Sequence, residues 1–305
     1  MNLTHIHFLL TYKCIFKCDH CFVWGSPFAE GTMKLKDIRS ILAEAKKLDT
    51  LEMICFEGGE PFLYYPILVK ALREAKNLSF NVSIVSDCYW ATSFEDAKEW
   101  LLPIAEIGVK DLSLSGDVYH GDAVETEPLK NAVKAAKSLG IPVSILSIEP
   151  LNGSKKRPDQ IEGVPVGYYK LMCKGRAASK LVDNACLKSW TEFNECPYEE
   201  LENQKRVHID FLGYIHVCQG ITIGNALKQP LLKIVNSYDP KSHPIVGPLI
   251  QKGPIGLVEK FGLSHDKAYA DACHFCYNMR LMLKAKFPDI LAPDQMYGIG
   301  LGSEM

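Results

Sequence analysis

At 305 residues with a hydrophobic fraction of 47%, the chain is long enough to bury a barrel-sized core and carry a small appendage. Its net charge is -2, from 34 basic and 36 acidic residues with no long run of one sign, so nucleic acid is not an expected partner. No apolar stretch approaches the ~20 residues that span a bilayer, and Met1-Asn2-Leu3-Thr4 has no basic signal-peptide region, so the chain is expected to be cytoplasmic, without a membrane partner.

In chain order, six short apolar runs read as strands: Ile6 to Leu10, Leu51 to Phe56, Phe80 to Val85, Val109 to Leu114, Val143 to Ile148 and Val166 to Leu171. Amphipathic helical stretches alternate with them, at Leu35 to Leu48, Ile67 to Ala75, Phe94 to Ile107 and Leu129 to Leu139, the last closed by Gly140. Strand-helix alternation predicts a parallel sheet that curls into a whole or partial barrel, with functional groups on the loops after the C-terminal strand ends. The pattern changes after the Gly/Pro-punctuated stretch Asn152 to Pro165, the last strand and Gly175. Beyond it, Val207 to Phe211 and Tyr214 to Cys218 flank Leu212-Gly213 and predict a hairpin, and helical segments lead to Cys273 and Cys276. The tail, Tyr297 to Met305, contains glycines that miss a dinucleotide-binding fingerprint.

Eleven cysteines are many for a cytosolic chain, where clustered thiols more often hold metal than form disulfides. Cys14, Cys18 and Cys21 follow the first strand, and their spacing lets one loop wrap three thiolates around a single cluster. A ferredoxin supplies four thiolates per cluster; here the next cysteine, Cys55, lies inside an apolar strand, which leaves one iron open to a ligand. The bland reading is a zinc knuckle, with His20 as a fourth ligand. After the second strand comes Gly58-Gly59-Glu60-Pro61, where two glycines allow a ligand to approach the backbone.

Together, Cys14-x3-Cys18-x2-Cys21 and Gly58-Gly59-Glu60-Pro61 resemble the radical S-adenosylmethionine (SAM) superfamily over roughly residues 4 to 180. The resemblance implies a [4Fe-4S] cluster on the three cysteines, with SAM chelating the open iron and being cleaved to methionine and a 5'-deoxyadenosyl radical that abstracts a substrate hydrogen. It further implies that Ser86 and Asp87, at the third strand end, contact the nucleoside, although Cys88 stands where a glycine is usual. Ser113, on one face with Ser115, is assigned to the SAM ribose, and Arg176, in Lys174-Gly175-Arg176-Ala177, to the SAM carboxylate. Nearby Asp117, Tyr119 and His120 are polar groups that could contact substrate or carry a proton.

Five further cysteines lie late in the chain, and Cys273-x2-Cys276 has the spacing of a metal clamp. The segment Ile209 to Cys218 with Ile223-Gly224-Asn225 resembles the hairpin of SPASM and twitch auxiliary-cluster domains, which implies a second [4Fe-4S] cluster on Cys218, Cys273 and Cys276. Cys196 is preferred as its fourth ligand and Cys186 competes, while structural zinc remains the simpler alternative. The expected architecture is therefore α/β: a partial (β/α)6 TIM-like barrel over 1–180 and a small C-terminal α+β auxiliary-cluster module over 181–305. The expected activity is that of a radical SAM enzyme acting on a peptide or protein side chain, fed by a reductant such as ferredoxin or flavodoxin. Its rivals are a radical SAM enzyme acting on a small molecule, such as a cofactor precursor or nucleoside, and a non-catalytic iron–sulfur or zinc-binding protein.

Overall fold

A computed structural model describes residues 1–120, 124–150 and 157–301. Part of the punctuated stretch after Pro150 and the end of the glycine-containing tail lie outside these residues. The first half of the chain runs β1 (His5–Leu9), α1 (Leu35–Ala45), β2 (Met53–Glu57), α2 (Tyr65–Asn77), β3 (Asn81–Ser86), α3 (Phe94–Ile107), β4 (Asp111–Ser115), α4 (Glu127–Ser138) and β5 (Val143–Ile148). Then come β6 (Gln160–Ile161), β7 (Val164–Tyr169), α5 (Ala177–Lys180), β8 (Lys188–Ser189), β9 (Arg206–Asp210), β10 (Tyr214–Cys218), β11 (Ile221–Asn225), α6 (Leu231–Ser237), α7 (Val246–Phe261), β12 (Ala268–Tyr269) and α8 (Ala272–Leu283).

The strand pattern has a simple cause. In β1, β3 and β4 alternate residues are fully buried, among them Ile6, Phe8, Val82, Ile84, Leu112 and Leu114, and they join one core with the apolar stripes of α1 to α4. The opposite face carries His5, His7, Glu57, Ser83, Asp111, Ser113 and Ser115, only partly buried, so a polar interior ends in the loops after the strands. Helix ends follow local chemistry: the Ser93 hydroxyl accepts from the Asp96 amide at the start of α3, and Gly108, left-handed, closes it.

The main sheet has the order β11-β10-β9-β1-β2-β3-β4-β5-β7-β6. The six expected strands are parallel neighbours in it, which is the partial barrel of the sequence reading. Two features depart from regular alternation. Between β5 and β7 the described residues hold no helix, only β6, which folds back antiparallel on β7, and the helix after β7 is the four-residue α5. The predicted C-terminal hairpin forms as β9 and β10, but it does not stand apart: β9 pairs parallel with β1, His7 opposite His208, and so extends the same sheet.

Candidate functional site: two cysteine-lined cavities

The first cavity opens where β1 and β2 end. It occupies about 650 Å³, counting the space at its mouth, and Cys14, Cys18 and Cys21 line it together with Gly58, Gly59, Ser86 and Asp87. Backbone amides already point at two sulfurs, Phe16 N to Cys14 Sγ at 3.3 Å and Gly25 N to Cys21 Sγ at 3.1 Å. Such donors favour a thiolate, but burial dominates and pushes both thiols above their ordinary pKa.

The two glycines act on the protein itself. A Cβ on Gly59 would sit 2.0 Å from the Lys13 carbonyl oxygen, and one on Gly58 2.5 Å from that of Thr11. Their absence lets the β2 turn lie flat on the cysteine loop, with Gly59 N donating to Thr11 O at 2.7 Å and Glu60 N to Lys13 O at 2.8 Å. Glu60, fully buried, does not line the cavity. Its carboxylate accepts from Phe62 N, from the Ser86 hydroxyl and from Asp87 N, which fastens the β3 end to the β2 turn. Burial, and then Asp87, hold that carboxyl well above the usual range. Pro61 starts the short helical turn Pro61–Tyr64 behind this wall. Asp87 in turn accepts from the Cys14 thiol at 3.4 Å, and Cys88 takes φ 67°, the left-handed conformation that a glycine would hold without strain.

Two expected contacts fall elsewhere. Ser113 does not line the cavity: its hydroxyl is bound to Asp111 and Ser144, while Ser115, one pleat repeat nearer the strand end, does line it. Arg176 is fully buried behind the cysteine loop, where Nη1 donates to Cys18 O at 2.7 Å and Nη2 to Gly25 O at 2.8 Å. Gly175 makes this possible, for a Cβ there would meet Cys21 O at 2.6 Å. Asp117 and His120 form a pair at 2.9 Å, and His120 lines the cavity.

The second cavity, about 440 Å³, brings together Cys196, Cys218, Cys273 and Cys276, with Lys174 and Arg280 in its wall. Cys218 ends β10; Cys273 and Cys276 sit on the first turns of α8, whose start is capped by the Asp271 carboxylate accepting from His274 N at 2.7 Å. Cys186 is exposed and does not line this cavity. Among the described residues, the trios of ligand atoms within 4.8 Å of one another are His7, Glu57, His208 and His20, Asp117, His120, and neither contains a cysteine. Thiolates around one zinc, at ~2.3 Å per bond, would stand only ~3.8 Å apart.

Residues 8–153 match the family profile of the Radical SAM superfamily. These residues are a radical SAM domain. The chain is 23% identical over 264 residues, 85% of this chain and 74% of the other, to the "Putative peptide biosynthesis protein YydG" of Bacillus subtilis (strain 168). Its fold is similar to that of anSMEcpe with bound AdoMet and Cp18Cys peptide, with TM-score 0.54 and 13% identity over 94% of this chain and 97% of that one. It is also similar to BtrN in complex with AdoMet and 2-DOIA, with TM-score 0.51 and 15% identity over 76% and 81% of the two chains.

As a radical SAM enzyme the chain uses a [4Fe-4S] cluster and SAM, and several residues around its cavities escaped the sequence reading. Glu57, on the cavity wall, accepts from His208 Nε2 at 3.0 Å and His7 Nδ1 at 3.2 Å, a trio drawn from three adjacent parallel strands. Only the strand register reveals it. Burial works against a charge on His7, but Cys55 and Glu57 outweigh it and lift its pKa to about 10, whereas burial lowers that of His208. Burial likewise takes His20 down to about 4, in spite of Asp117. Lys174 was legible only as part of the Gly-Arg turn, and Arg280 carried no motif at all.

Proposed function

We propose that this radical SAM enzyme modifies a peptide, with Cys14, Cys18 and Cys21 holding the SAM-binding cluster and Cys196, Cys218, Cys273 and Cys276 a second [4Fe-4S] cluster. The observation that carries the first assignment is the convergence of three thiols, two sulfur-directed amides and the Gly58-Gly59 turn on one cavity. When bound, the reduced cluster supplies the electron that splits SAM into methionine and a 5'-deoxyadenosyl radical.

The chain's own residues do the rest. Arg176 binds two carbonyls of the cysteine loop and fixes its course, and its charge eases ionisation of Cys21. Glu60 acts as a positioning residue that locks Ser86 and Asp87 against the loop. Ser115 offers a hydroxyl to the nucleoside at a place Ser113 does not reach. For the second cavity, four thiols of which no three gather within 4.8 Å of one another, beside two buried cations, support a cluster over zinc. A peptide substrate is supported by YydG, which is named for peptide biosynthesis, and by the peptide held in the anSMEcpe structure.

Anaerobic reconstitution tests this reading. Wild type should hold about eight irons per chain, and Cys18→Ala or Cys276→Ala about four. Dithionite-dependent 5'-deoxyadenosine should appear with wild type and vanish with Cys18→Ala. A wild type that holds iron but never cleaves SAM overturns the catalytic assignment, and peptides encoded beside the gene that keep their mass in the reaction overturn the substrate class.

A further inference from the structure

Arg280 is the group in the second cavity whose contacts do not account for its burial. Only 1% of it is exposed, and among the described residues no carboxylate forms an ion pair with it. Nη1 donates to Gln219 O at 2.7 Å and to the Tyr297 hydroxyl at 3.3 Å, the Tyr277 and Tyr297 rings flank the guanidinium, and buried Nε has no partner. Lys174, also in the wall, differs, because Glu199 approaches its Nζ at 3.5 Å and Arg206 in turn. A buried cation without an anion carries a desolvation cost that neutral thiols do not offset.

The sequence spacing explains where that charge points. Cys273, Cys276 and Arg280 stand three and four residues apart on α8 and therefore share one face of the helix. Through Gln219 O the same guanidinium holds the turn after Cys218. A fixed positive charge thus lies among thiols contributed by a helix and a hairpin. Four thiolates on a [4Fe-4S] core carry a net charge of about -2, growing to about -3 on one-electron reduction, so a fixed cation stabilises the reduced form more than the oxidised one.

We propose that Arg280 is the counter-charge of the second cluster and raises its reduction potential, which fits this pocket to accept an electron. The inference rests on the proposed second cluster. It differs from a purely mechanical role, in which Arg280 only fastens the Cys218 turn: charge alone is retained by lysine, whereas a carbonyl-directed donor without charge is retained by glutamine.

The experiment uses the full chain with Cys14, Cys18 and Cys21 replaced by Ala, so that the second cavity alone holds iron, and follows its reduction by EPR during a redox titration. R280Q should lower the reduced-to-oxidised ratio at a given ambient potential at least tenfold, a 59 mV downward shift for a one-electron couple. R280K should stay within threefold of the parent. Loading of R280K where R280Q stays empty also supports the role of charge. An R280Q ratio within threefold of the parent, an R280K ratio that falls with it, or failure of both to load overturns the proposal. The wild-type background repeats the comparison on the reduction step that Cys276→Ala removes, should the parent fold poorly. Absence of iron from the second cavity of wild type removes the cluster itself, a result distinguishable from iron present at an unmoved potential.

Discussion

Ser113 and Ser115 share a face of β4, so alternation in the sequence could not separate them; distance along the strand does. Ser113 is tied to Asp111 and Ser144 below the cavity, and Ser115 reaches it. Loss of one hydrogen bond from a ligand typically costs about 1 kcal/mol, or roughly fivefold in affinity. Ser115→Ala is accordingly expected to weaken SAM binding to the reconstituted enzyme about fivefold, while Ser113→Ala leaves it unchanged; calorimetry that ranks the two in the opposite order refutes the assignment. Arg176 teaches the same lesson from the other side. The Gly-Arg turn was visible in sequence, but a buried guanidinium held by two loop carbonyls cannot be told from one that forks a SAM carboxylate by its residue type alone.

The elements that sequence makes legible are those with local causes. β1 to β5 and α1 to α4 emerge within a few residues of their expected bounds because buried positions repeat at two residues in strands and at three to four in helices. The three cysteines, the Gly-Gly turn and Cys273-x2-Cys276 are local for the same reason. What stayed hidden is non-local: β9 docks parallel on β1 across some two hundred residues, and no turn chemistry announces that pairing. Its effects are concrete, for it brings His208 to Glu57 and lets the buried Tyr12 hydroxyl donate to Asp210 at 2.7 Å. A fragment ending at residue 180 would expose the β1 edge and orphan that hydroxyl. We expect fragment 1–180 to aggregate or remain unfolded, and a sharp cooperative melt by circular dichroism from this fragment alone would show the barrel to be independent of the hairpin.

At the scale of the whole molecule the joined sheet makes stability depend on pH through its interior. His7 on β1 is lifted to about 10 by Cys55 and Glu57 despite its burial, against an ordinary value of about 6.5. A raised histidine pKa means that the folded chain keeps a proton the unfolded chain releases, so the contribution is complete below about pH 6.5 and is lost as pH rises through about 10. Glu57 is held well below the usual carboxylate range by His7 and His208, against its burial, and stays ionised throughout this window, adding no slope. His120, raised by Asp117 and Cys18 against its burial, acts in the same sense as His7; His20 and His208, lowered by burial, oppose it only around the ordinary histidine value, and the buried thiols join near their own ordinary range. Apo protein unfolded in urea at about pH 6.5 and 8.5 should therefore lose stability on the order of 2 kcal/mol over that interval, allowing for partial solvent screening. His7→Asn should remove much of the slope while lowering stability at pH 6.5, because it leaves Glu57 with one imidazole in place of two. A His7→Asn slope equal to that of wild type would mean that the charge shared across β1, β2 and β9 does not couple the hairpin to the barrel.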